Sequence, residues 1–221
     1  MDPTAEPVQL YSARTKSYLR FVDAVAYPQG IRAYFQQSMH LKSGLHVLDA
    51  GCGTGLAALA LRESILNRHF KPGLINCFDI TPGMLAIFRE KLQRDKVEGV
   101  EVLQADVLHL EELPPDWKDF DLIISAAMME YLPRETLVDA LSGLRSLLRD
   151  TGRIIVFITR KNWLTKILIG NWWRAECYQE SELVEYFRQA GFPEIKFSSF
   201  PFPYTHLSLW GNIVEARKIP V

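Results

Sequence analysis

From Leu45 to Arg160 the chain alternates short apolar runs with longer segments in which apolar residues recur every three to four positions. LHVLDA, Leu45 to Ala50, is a run of the first kind, and LAALALRESI beyond the glycines has the second spacing. A strand, a tight turn and a helix are therefore predicted. The rhythm continues with a strand at LINCFD, a helix from Thr81 to about Asp95, strands at VEVLQAD and FDLIISA, a helix from about Arg134 to Arg149, and a strand at GRIIVFITR. Strands separated by helices feed a parallel sheet covered on both faces. Thr81 followed by Pro82 places a capping residue before a proline in the first helical position, and Gly152 closes the turn into the last of these strands.

The two ends of the chain read differently. Val8 to Leu41 carries helical spacing (Leu10, Leu19, Phe21, Val22, Val25, then Ile31, Tyr34 and Phe35) broken at Pro28-Gln29-Gly30, which predicts an N-terminal helical cap over 1–42 ahead of a single α/β domain over 43–221. After Arg160 come a tryptophan-rich insertion, a helix around Ser181 to Ala190, and two strand-like runs, EIKFSSF and HLSLWGNIVEARK, joined by PFPYT. This joint reads as an antiparallel hairpin added to a mostly parallel sheet. Neither internal repeats nor low-complexity linkers are present.

Composition narrows the function classes. A chain of 221 residues supports one sizeable core, and 48% hydrophobic with 23% charged residues is ordinary for a folded globular domain. Twenty-five Lys and Arg against 26 Asp and Glu leave a net charge of -1, without the field that draws a protein to nucleic acid. Cys52, Cys77 and Cys177 are odd in number and lack CxxC spacing, which argues against a disulfide framework and a zinc site and suits a reducing cytoplasm. The five histidines show no metal-binding spacing either. The start of the chain lacks the basic and apolar regions of a secretion signal. The run from Trp163 to Trp173 contains Lys166 and is far shorter than the roughly 20 residues of a spanning helix, so peripheral membrane contact is open to it but crossing is not.

The candidate chemistry sits at LDAGCGTG, Leu48 to Gly55. A dinucleotide fingerprint, GxGxxG, would need a third glycine at position 56, which is Leu56; the glycine falls at Gly55. VLDAGCGTG, Val47 to Gly55, instead resembles motif I of the class I S-adenosylmethionine-dependent methyltransferases, two apolar residues, an acid and GxGxG. The resemblance runs over about residues 45 to 160. It implies a doubly wound, Rossmann-like, mostly parallel seven-stranded sheet, S-adenosylmethionine as cofactor and S-adenosylhomocysteine as product.

The cofactor carries a carboxylate and an ammonium, which a helix N-terminus and an acid can meet. Gly51, Gly53 and Gly55, with Cys52 and Thr54 between them, would let the backbone approach, and Asp49 would supply the charge. The resemblance further implies that Asp79 accepts the ribose hydroxyls, that Asp106 and the Val107 N–H meet the adenine, and that Ile80 and Met84 pack on its faces. Asp106 reads equally as a turn former. Tyr11 and Tyr18, seven residues apart on one helical face, would close over the sulfonium, where cation–π attraction is worth about 0.5 to 2 kcal/mol, or else simply pack.

SAAMMEYLP, Ser125 to Pro133, matches the family segment beside the methyl, with Ala126 and Ala127 lining the donor and Glu130 and Tyr131 facing the acceptor. Glu130 reads as a base or substrate anchor, or as a surface carboxylate capping the following helix. Trp163, Trp172, Trp173, Phe200, Phe202 and Tyr204 form an apolar acceptor pocket, a membrane-facing lip or ordinary packing. The resulting expectation is methyl transfer to a small-molecule acceptor, aromatic or lipid-like, without a metal. The alternative is a catalytically silent binding module or partner subunit of the same fold.

Overall fold

The computed structural model describes residues 23–161 and 176–219. The elements follow the sequence rhythm: α1 (Tyr27–Gln37), β1 (Val47–Ala50), α2 (Leu56–Asn67), β2 (Ile75–Asp79), α3 (Pro82–Arg94), β3 (Val100–Gln104), β4 (Phe120–Ala126), α4 (Leu137–Leu147), β5 (Leu148–Thr159), α5 (Glu180–Gln189), β6 (Glu194–Ser198) and β7 (Gly211–Arg217). They build one seven-stranded sheet in the order β3-β2-β1-β4-β5-β7-β6. β1 is parallel to β2 and β4, and β7 runs antiparallel to both β5 and β6. Reversal of strand order at β1 and β4 opens the crevice at the carboxyl ends of the strands where such sheets bind ligands.

Two cores cover the faces of the sheet. Phe35, Val47, Leu61, Ile75, Leu85, Phe88 and Ile124 pack on the α1, α2 and α3 side. Leu48, Phe120, Ile123, Leu141, Ile154, Phe187 and Val214 pack on the α4 and α5 side. β1 is buried along its whole length, as a central parallel strand must be, which is why its residues read as a continuous apolar run around Asp49.

Three expectations shift in detail. The helical break predicted at Pro28 lies two residues earlier, at Ala26, whose φ of 58° ends the preceding turn. Pro28 and Gly30 then occupy the first turn of α1, where a missing N–H costs nothing. The second predicted C-terminal strand begins only at Gly211, because Thr205–Leu209 coils into a 3-10 turn that buries Leu207 against Gly30 and Phe200. Thr81 does stand before Pro82, yet its hydroxyl makes no cap; it lies beside the Asp79 carboxylate instead. The tryptophan-rich run from Trp163 to Trp173 and the tyrosines Tyr11 and Tyr18 lie outside the described residues.

Candidate functional site

The turn after β1 is fastened to its neighbour: the N–H groups of Gly51 and Cys52 both donate to the Phe78 carbonyl, at 2.8 and 2.9 Å. Gly51, Gly53 and Gly55 all adopt positive φ, at 75°, 52° and 79°, which glycine does without a steric penalty. Their surroundings differ. A β-carbon on Gly51 would stand 2.3 Å from the Met128 side chain, and one on Gly55 would stand 2.0 Å from the Phe88 ring. Around Gly53 a β-carbon would meet nothing within 4 Å. Two glycines thus admit neighbouring side chains, and the middle one faces open space.

Two acids lie close to the glycine turn. Asp49 is fully buried, and its Oδ2 accepts from the Ala58 N–H at 3.0 Å. It therefore satisfies a donor in the first turn of α2 that the N-cap Gly55, having no side chain, cannot reach. Its Oδ1 is buried with no partner among the described residues, and burial pushes the carboxyl up to about 7. Asp79, at the end of β2, accepts from the Gly53 N–H at 2.9 Å and the Thr81 N–H at 2.8 Å, while burial raises its carboxyl despite these bonds. Each carboxylate oxygen has a second lone pair, so Asp79 can tie the glycine turn to α3 and still accept from a ligand.

The remaining sequence candidates lie near the carboxyl ends of the parallel strands or in the helices that follow them. Ile80 and Thr54 are half-buried, and Met84 is buried in the first turn of α3. Asp106 lies beyond β3, and its Oδ1 accepts from the Leu108 N–H at 3.0 Å, a turn that orders its own loop; Val107 beside it is buried. Ala126 ends β4, and Ala127 adopts a φ of 55°, sparsely populated for a residue with a β-carbon, with its N–H donating to the Phe157 carbonyl at 3.0 Å. This bend brings Met128 onto Gly51, so the loop after β4 and the glycine turn share a wall.

Glu130 is not the surface carboxylate that one sequence reading allowed: the residue is buried at 3% exposure, in a 3-10 turn over Met129–Tyr131. Its Oε1 accepts from the Thr159 hydroxyl at 2.8 Å, and its Oε2 is buried with no partner among the described residues. Desolvation pushes the carboxyl up to about 7. The burial is supplied from far along the chain. The Glu176 N–H donates to the Glu130 carbonyl at 2.7 Å, and the Tyr178 N–H donates to the Thr159 carbonyl at 3.2 Å. Arg134 holds this returning segment through Glu176 at 2.7 Å, Glu182 at 3.0 Å, the Cys177 carbonyl at 2.7 Å, and the face of the Tyr178 ring at 4.6 Å.

Thr159, Tyr178 and Arg134 are absent from the sequence-based candidates. Thr159 ends a strand, and the rule that ligands sit at carboxyl ends of strands could have singled it out. Nothing local marks Tyr178 or Arg134. Among the described residues no helix is long and apolar enough to cross a membrane.

The sheet order and the glycine turn define a doubly wound nucleoside-binding α/β architecture. Residues 47–152 match the model of the methyltransferase domain family. A demethylmenaquinone methyltransferase of Lactiplantibacillus plantarum is 27% identical over 192 residues, covering 74% of this chain and 77% of that protein. A highly reducing polyketide synthase of Aspergillus niger is 24% identical over 166 residues, 68% of this chain, and the chain spans only 6% of its length. Among solved structures, magnesium protoporphyrin IX methyltransferase of Synechocystis PCC 6803 with bound SAM superposes with a TM-score of 0.62 at 21% identity, covering 89% of this chain and 80% of that one. Residues 47–152 therefore carry a methyltransferase domain, and the fold and family resemblance are those of the class I S-adenosylmethionine-dependent methyltransferases.

Proposed function

We propose that the chain transfers a methyl group from S-adenosylmethionine to a small-molecule acceptor that approaches from the Glu130 side of the cleft. The observation that carries the reading is the open face of Gly53, bonded to the half-buried Asp79, in a turn that follows the buried Asp49 with its unpartnered oxygen. These residues fit the cofactor. Asp49 Oδ1 would meet its ammonium, the first N–H groups of α2 its carboxylate, Asp79 its ribose hydroxyls, and Ile80, Met84, Asp106 and Val107 its adenine. A helix terminus contributes about 0.3 to 1 kcal/mol when exposed and up to about 2 when partly buried, so the acids and apolar walls must supply the rest of the affinity.

When bound, the cofactor supplies a methyl on a positively charged sulfur. The chain's own part is alignment and exclusion of water, with Met128, Ala126 and Ala127 walling the donor side. Glu130 Oε2 takes the proton that an acceptor hydroxyl or ammonium releases, and a carboxyl near 7 is well matched to that task. Tyr131 shares the Glu130 turn and Tyr178 is bonded to Thr159, and together with the demethylmenaquinone methyltransferase relative these rings favour an aromatic or lipid-like acceptor.

Titration calorimetry tests the donor half. One site for S-adenosylmethionine is expected, with Asp79→Ala weakening it about tenfold or more, the loss of two charge-assisted hydrogen bonds. Glu130→Ala should weaken it less. Absence of binding at millimolar donor, or the reverse order of the two variants, defeats the proposal.

A further inference from the structure

Glu130 has two oxygens in different circumstances. Oε1 accepts from the Thr159 hydroxyl, while Oε2 is buried and unpartnered among the described residues. Thr159 is the last residue of β5, and its carbonyl is occupied by the Tyr178 N–H, so its backbone is held from both sides. The Glu130 main chain is held as well, through the Glu176 N–H. With the backbone fixed at both ends, the hydroxyl bond selects which way the carboxyl plane turns.

We propose that Thr159 is a positioning residue that aims Glu130 Oε2 at the methyl acceptor. This rests on the reading of Glu130 as the acceptor-side group. Alignment matters because proton transfer requires the accepting oxygen within hydrogen-bond reach of the nucleophile, and a carboxyl free to rotate occupies that orientation only part of the time. Thr159 also sets the charge of the group it holds. Burial raises the Glu130 carboxyl, and the bonds that pull it back come from its own N–H, then the Thr159 hydroxyl and the Thr159 backbone. Among the described residues, two further ionisable groups held over this turn are engaged or neutral. Arg134 is taken up by Glu176 and Glu182, and burial keeps the Tyr178 phenol protonated.

The test uses the full chain labelled with carbon-13 at the glutamate side-chain carboxyls, the Glu130 resonance being the one missing from the Glu130→Gln spectrum. In the wild-type protein the resonance should titrate near neutrality. Thr159→Val keeps the shape but removes the donor, so the midpoint should move up by about one pH unit, as loss of a hydrogen bond to the ionised form requires. Thr159→Ser restores the hydroxyl and should return the midpoint to the wild-type value. Thr159→Ala provides a second variant without the donor and should titrate like Thr159→Val. An unchanged midpoint in both donor-free variants, or a failure of Thr159→Ser to rescue it, overturns the proposal. Calorimetry with S-adenosylmethionine on the same samples separates the two readings. Affinity within about twofold of wild type across the Thr159 variants places the effect on the acceptor side, and tenfold weakening alongside the shifted midpoint overturns that placement. Lack of donor binding in the wild-type protein instead defeats the methyl-transfer reading.

Discussion

At the scale of single residues, the three glycines of one motif perform different tasks. Gly55 has to admit Phe88 and Gly51 has to admit Met128, so both serve the packing of the fold. Gly53 serves open space. An alanine at any of them pays about 1 to 2 kcal/mol for positive φ. At Gly55 the overlap with Phe88 adds a further 1 to 3 kcal/mol or so. Gly55→Ala should therefore lower the melting temperature by roughly 5 to 15 °C and Gly53→Ala by about half as much or less, read by circular dichroism. Donor affinity should show the opposite sensitivity relative to stability: Gly53→Ala, although folded, should lose about tenfold or more by calorimetry because its methyl fills the cleft. A Gly53→Ala protein that binds the donor normally would show that the open face is not the cofactor's. The glycine spacing is legible in the sequence, but the division of labour is not, since Met128 and Phe88 reach the turn from 77 and 33 residues away.

Among the elements, β7 and the segment before α5 organise the end of the sheet that holds Glu130 and the glycine turn. β7 enters between β5 and β6 and is antiparallel to both, which leaves the Phe200 to Trp210 connection at the same end of the sheet as the glycine turn. Arg134 fastens the Glu176–Tyr178 segment and the first turn of α5 to the turn that follows Glu130. Its guanidinium is about a third exposed, so its ion pairs count for less than their geometry suggests. Arg134→Ala should cost about 1 to 2 kcal/mol, most of it from the fork of hydrogen bonds and the stacking on Tyr178. Hydrogen exchange should quicken in the N-terminal half of α5 while β1 and β4 remain protected; uniform loosening of the whole sheet would contradict this role. Arg134→Lys should behave nearly as badly, because an ammonium cannot reproduce the fork.

For the molecule as a whole, the buried acids set the dependence of stability on pH. Asp49 and Glu130 each have a carboxyl raised to about 7, whereas in the unfolded chain such groups release their protons near 4. Between these values the folded state binds the more protons, so stability present at about pH 4 is lost as pH rises through 7 and then levels off. Glu215 acts in the opposite sense. Its bond from His40, with those from Ser198 and Tyr34, holds its carboxyl down to about 2, so its contribution is present above about 4.5 and lost as pH falls through 2. The ligand-free protein should melt higher near pH 5.5 than near pH 8, and Glu130→Gln should shrink that difference; a flat profile in both proteins would refute it. The strand and helix rhythm, the glycine turn and the acids Asp49 and Asp79 at strand ends were all determined by the sequence alone, because periodicity, backbone freedom and strand-end chemistry act within a few neighbouring residues. Only the tertiary structure decided that α1 starts at Tyr27 behind a break at Ala26, that Leu207 coils onto Gly30, and that Glu130 is buried against Thr159 beneath a segment arriving from Glu176. The burial and partners of a carboxyl depend on which distant stretch of chain folds over it, and that information is carried by the whole core.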